Sequence, residues 1–152
     1  MAAADGPPLS QALVGTWELL SRVDVTAGGE RRIDPALGAE PIALLYYDRA
    51  GHFAAQFMKR ERGADAAAPA AARAPNNSRA QGGYDAYFGS YTVDDLTGAV
   101  TQRLLGALSR ENVGLVLTRV MTVRGDSLSI RVDTAAADGT PLIRTLTWRR
   151  VG

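Results

Sequence analysis

The residues able to do chemistry in this 152-residue chain are few: one histidine, five tyrosines, many arginines and no cysteine. Without cysteine there are no disulfides, thiolate nucleophiles or cysteine-based zinc sites. His52 stands alone, which excludes a histidine triad, and no carboxylate cluster at ligand spacing compensates, so neither a metal nor a cofactor is expected. No Gly-x-Ser-x-Gly elbow, phosphate loop or dinucleotide fingerprint occurs. What remains are groups suited to orienting a ligand. His52 could act as a general base, with Gln56 on the same strand face. Tyr46, Tyr87 and Tyr91 each offer a large apolar surface and one hydroxyl, as pockets with a few oriented polar groups require. Arg119 shares a face with Leu115, Leu117 and Met121, and Arg144 lies among Leu142, Leu146 and Trp148. An arginine on an apolar face must be paired, reach an end, or hold an anion such as a carboxylate or enolate.

Each of these residues sits in a segment with a two-residue period, bounded by turn residues at short intervals. From Trp17, the odd positions Leu19, Ser21, Val23 and Val25 are mostly apolar, while Glu18, Arg22 and Asp24 are charged, which predicts one buried and one wet face. Further strands are predicted at 41–47, 52–59, 84–93, 99–105, 113–123, 127–133 and 140–149. Gly51, Gly98, Gly125 and Gly139 mark the turns between them. The only helical signal is a turn or two over 9–14, with Ser10 as N-cap. About eight sequential strands without crossover helices predict an all-β, up-and-down antiparallel barrel with a short N-terminal helical turn. Its interior is either filled or able to hold one small ligand. In strand 52–59, alternation admits either His52 and Gln56 or the more apolar Phe53, Ala55 and Phe57 to the interior, and both remain open.

The length suits one domain over 1–152, with 1–8 flexible. The stretch 60–83, rich in Ala, Pro and Arg, breaks the rhythm and reads as a long surface loop or a flap over one barrel end. Formal charge is +1, with basic residues scattered, which argues against nucleic-acid binding. The first residues lack a basic-then-apolar signal, and no apolar run is long enough for a spanning helix. These features predict a soluble, cytoplasmic protein without a membrane partner, monomeric or homodimeric.

Residues 13–19 (LVGTWEL) resemble the Gly-x-Trp opening of lipocalins, in which a helical turn leads into the first strand and the Trp plugs one barrel end. Arg149 or Arg150 looks like the basic residue that such barrels pack on that Trp. Leu44 to Tyr47, Gly51 to Met58 and Tyr84 to Tyr91 resemble internal motifs of the bacterial lipocalin-like domain family, and the likeness covers about residues 9–149. The resemblance implies the fold and a tendency to bind small hydrophobic molecules. Two functions follow. One is binding of a small hydrophobic or amphipathic molecule inside the barrel by Tyr46, His52, Gln56, Tyr87, Tyr91, Arg119 and Arg144. The other is a cofactor-free isomerase- or cyclase-like enzyme using the same cavity through Tyr87, His52 or Arg119.

Overall fold

The strands form where the two-residue period predicts them. The computed structural model describes residues 6–62 and 76–152. After a one-turn helix α1 (Leu9–Ala12) come β1 (Gly15–Thr26), the two-residue β2 (Arg31–Arg32), β3 (Ile42–Tyr47), β4 (His52–Met58) and β5 (Tyr84–Val93). They are followed by β6 (Ala99–Ala107), β7 (Val116–Arg124), β8 (Ser127–Ala135) and β9 (Pro141–Arg150). From β3 to β9 each strand pairs antiparallel with the next. β1 pairs with β3 on one side and β9 on the other, so eight strands close into a barrel, while β2 extends the far end of β1. Closure removes the edges an open meander would expose. The hairpin turns use the residues expected of them: Gly51 takes φ +93°, which a side chain would resist.

The pleat decides which residues reach the interior. β3 turns in Ala43, Leu45 and Tyr47, β4 Phe53, Ala55 and Phe57, and β7 Leu117, Arg119 and Met121. In β1 the predicted parity holds only for the first turn of the pleat. Leu19 lies opposite Trp148 and Ser21 opposite Thr147, so Leu20 is an extra residue, a β-bulge, and is 56% exposed. Past it the faces exchange. Arg22 and Asp24, expected on the wet face, point into the barrel. A bulge adds one residue to one strand only, so a strict alternation continued through it is wrong by one on the far side.

One end of the barrel is sealed. Trp17 and Leu13 are fully buried there, and the Trp17 indole N–H donates to the Leu13 carbonyl at 3.0 Å. Of the two candidate arginines, Arg150 covers Trp17, its guanidinium 4.3 Å from the ring centroid, and donates to the carbonyls of Val14 (2.8 Å) and Ala12 (2.6 Å). Arg149 points outward to Glu18. Ser10 does not cap α1. Pro8 holds that position, and the Ser10 amide and hydroxyl both donate to the Asp95 carboxylate at 2.8 Å, tying the helix to the β5–β6 turn.

Gly15 is what lets Arg150 lie there: its φ is +144°, and a Cβ would come within 2.6 Å of the Arg150 guanidinium and 2.7 Å of the Gly152 carbonyl oxygen. Gly15→Ala is therefore expected to cost about 2 kcal/mol. Gly28→Ala, whose Cβ would meet only Thr26 Oγ1 at an ordinary 3.9 Å, should stay within about 0.5 kcal/mol of wild type in urea unfolding.

Candidate functional site

The other end is hollow. A cavity of about 590 Å³ occupies the barrel there, a size suited to a small organic ligand. Its walls are Leu45, Phe57, Met121, Ile130, Val132, Leu146 and Trp148, and its rim is built by residues 32–37 and 135–138. An Arg32–Asp138 ion pair at 3.2 Å ties those two rim segments together.

Among these apolar walls lies a charged network that the bulge in β1 creates. The Arg144 Nε and Nη2 groups donate to the two Asp24 oxygens at 2.7 and 3.0 Å. Asp34 Oδ2 accepts from Arg22 at 3.1 Å and from Arg144 at 3.4 Å. Two guanidiniums and two carboxylates thus balance in a nearly dry site, the arrangement that makes buried charge tolerable. Burial acts to raise the Asp34 pKa, but Arg22, the Ala36 amide and Arg144 outweigh it and hold the carboxyl below its usual range. Burial, then repulsion from Arg144, lowers that of Arg22.

A second polar group stands on β5 to β7. Gln102 donates to the Tyr47 hydroxyl at 2.5 Å. Asp85 and Tyr87 share the inward face of β5, and both contact Ser78, whose hydroxyl donates to Asp85 Oδ2 at 2.5 Å. The other Asp85 oxygen is buried with no hydrogen-bond partner, as is the Trp148 indole N–H. Burial raises the Asp85 pKa above the carboxylate range, and it raises those of Tyr47 and Tyr87 so that both phenols stay protonated. Arg119 is 7% exposed and donates through Nη1 to the Asn76 carbonyl and side-chain oxygens (2.8 and 2.9 Å) and to the Thr118 carbonyl (3.1 Å). Among the described residues no carboxylate pairs with it, and burial lowers its pKa.

Asn76 also mends the barrel wall. β7 and β8 pair only from Val120 and Arg131 outward, and at the hollow end they separate. There the Asn76 amide donates to the Thr118 carbonyl and accepts from the Thr118 amide, both at 2.9 Å, standing in for a strand partner. Residues 77, 78 and 80 continue along the cavity wall, and Arg79 is clipped to Ser109 and Asn112. Of the long stretch 60–83, residues 63–75 lie outside the described residues.

The seven residues expected to bind ligand divide. Tyr87, Arg119 and Arg144 line the cavity. Tyr91 is turned inward near the sealed end, stacks edge-on with Tyr47 and donates to the Asp48 carbonyl at 2.6 Å, outside the cavity lining. Tyr46, His52 and Gln56 are corrections: all three are exposed on the outside of the barrel. In β4, turning Phe53 and Phe57 inward removes far more apolar surface from water than turning His52 and Gln56 in, and the two sets exclude each other. His52 instead caps its hairpin through Asp48 at 3.0 Å. In β3 the same logic selects Tyr47 over Tyr46. Tyr47, Gln102 and Asp85 were legible as inward residues once the parity of β3, β5 and β6 was set, whereas Arg22, Asp24 and Asp34 had no such signal.

A sealed Trp17 end, a Gly-x-Trp start and a closed eight-stranded meander fit the match of a family model, described as a lipocalin-like domain, to residues 14–151. The chain belongs to the lipocalin-like domain family. No curated protein matches it. Lipocalin-like barrels are typically ligand-binding folds. Among the described residues no helix is long and apolar enough to cross a membrane, and no three His, Asp or Glu groups gather as metal ligands would.

Two outcomes test the electrostatics. Asp24→Asn leaves Arg144 buried with a weakened partner and should cost about 3 kcal/mol in urea unfolding. Asp85 behaves oppositely. The fold favours its neutral form, so its contribution is present below the ordinary carboxylate range and lost as pH rises through the raised folded-state pKa. Asp85→Asn should accordingly raise Tm at about pH 7 and leave it nearly unchanged at about pH 3. An equal drop at both pH values would show that the Ser78 contact outweighs the charge.

Proposed function

We propose that this barrel binds a small amphipathic molecule at its hollow end, with an apolar body and an anionic or strongly polar oxygen head. The observation that carries this reading is Arg119: a buried guanidinium on the cavity wall whose described partners are all neutral oxygens. Burying a cation without a counter-charge is costly, and an anionic ligand oxygen removes the cost where the apolar walls strengthen the attraction. The Tyr47 and Tyr87 phenols, kept protonated by burial, are further donors in the same wall. Leu45, Phe57, Ile130 and Leu146 supply the surface for the ligand body. Arg144 has a different role here. Engaged by Asp24 on both nitrogens, it holds the wall together.

Two fluorophores with the same ring system separate head from body: 8-anilinonaphthalene-1-sulfonate carries an anion, and N-phenyl-1-naphthylamine does not. Both are expected to bind at one site. Arg119→Met should weaken the sulfonate at least about tenfold while changing the neutral amine less than about twofold. Equal effects on both probes, or none on the sulfonate, would overturn the role of Arg119.

A further inference from the structure

We propose that the cavity is also an acid–base site for enolisable carbonyl compounds, in which Asp85 transfers a proton between carbon atoms of the ligand while Tyr87 and Arg119 hold its oxygen. The proposal rests on the binding reading above and adds an activity to it.

Four carboxylates line the cavity, and Asp138 at its rim is paired with Arg32. Asp24 and Asp34 are each held by arginine, as structural buried carboxylates are. Asp85 is not. Its one side-chain hydrogen bond among the described residues is from the Ser78 hydroxyl, on Oδ2, with the Ala86 amide and the Arg22 charge also acting on the carboxyl, while Oδ1 is buried with no hydrogen bond of good geometry. A buried oxygen without a partner costs stability, so packing does not account for this residue. Its surroundings suit proton transfer. Asp85 and Tyr87 stand two residues apart on the inward face of β5, Arg119 lies on β7 one strand beyond β6, and all three line one cavity. Tyr87 is within electrostatic reach of both the Asp85 carboxyl and the Arg119 guanidinium. The raised basicity that burial gives Asp85 makes its ionised form a stronger base than an exposed carboxylate.

The chemistry balances without an oxidant or added group. The Asp85 carboxylate takes the proton from the carbon next to a ketone. The C–H electron pair becomes the C=C bond, and the carbonyl π pair moves onto oxygen as an enolate. The Tyr87 O–H and the Arg119 N–H groups are donors for that oxygen, where charge develops. Protonated Asp85 then returns the proton to the same carbon or, in a β,γ-unsaturated ketone, to the γ carbon, which shifts the double bond. The substrate class is an apolar, cyclic or conjugated ketone that fits about 590 Å³.

The probe is 2-tetralone, an apolar bicyclic ketone, in deuterated buffer, with loss of its C1 protons followed by NMR and its binding followed by quenching of Trp148. Wild-type protein is expected to accelerate exchange. Asp85→Asn should lose at least about 100-fold of that acceleration with 2-tetralone affinity unchanged within about twofold, and Tyr87→Phe should lose about tenfold. Because Asp85→Asn is expected to be the more stable protein at neutral pH, its inactivity cannot be unfolding. Bound 2-tetralone that exchanges no faster than in buffer, or equally fast with Asp85→Asn, overturns the proposal. If 2-tetralone fails to bind while the naphthalene sulfonate does, the carbonyl class is overturned and the binding reading stands. If neither binds, both fail.

Discussion

One extra residue in β1 governs what this barrel can do. A strand presents alternate side chains to inside and outside, and β1 is long enough to reach from the sealed end to the hollow one. At the sealed end it must offer Trp17 to the interior. Were the alternation unbroken, Ser21, Val23 and Val25 would follow Trp17 inward, and β1 would add no charge to the hollow end. The bulge at Leu20 exchanges the faces, so Arg22 and Asp24 enter the lumen instead. Asp24 then requires Arg144 from β9, its hydrogen-bonded neighbour strand, and Arg22 requires Asp34 from the segment after β2. A local change of register thus sets the charge that β1 contributes to the cavity.

The two ends differ in how their polar groups are satisfied. At the sealed end the Trp17 N–H, the carbonyls of Ala12, Leu13 and Val14, and the Arg150 guanidinium are all partnered. Apolar burial and satisfied hydrogen bonds reinforce one another there. The hollow end keeps buried polar atoms without a hydrogen bond, Asp85 Oδ1 and the Trp148 N–H, beside an Arg119 whose described partners are neutral oxygens. Such groups weaken the fold in isolation and become useful when a ligand completes them. The segment that follows residue 75 belongs to both tasks, since Asn76 closes the gap between β7 and β8 while Ser78 touches Asp85 and Tyr87.

Much of the fold was legible because its signals are local. Turn glycines such as Gly51 and the two-residue period of β3 to β9 need only neighbouring residues to be read. Tyr87, Arg119 and Arg144 were placed on the correct face because their strands run without a bulge from turn to turn or diverge in parity only outside them. His52, Gln56 and Tyr46 misled because a polar residue in a strand carries no mark of which face it takes. That choice falls to the more apolar set, here Phe53 with Phe57 and Leu45 with Tyr47.

By itself, then, the sequence determined the meander, its turns, the Trp17 plug and the family, all of which rest on local conformational preference and on patterns a few residues long. Only the tertiary structure decided the lumen. Whether Leu20 is an extra residue depends on how β1 meets β9, some 120 residues away at Arg144 and Asp24. Whether Asp85 is bare or paired depends on which strands and loops surround it. Charges in a closed barrel are balanced across space, and spacing along the chain does not record that balance.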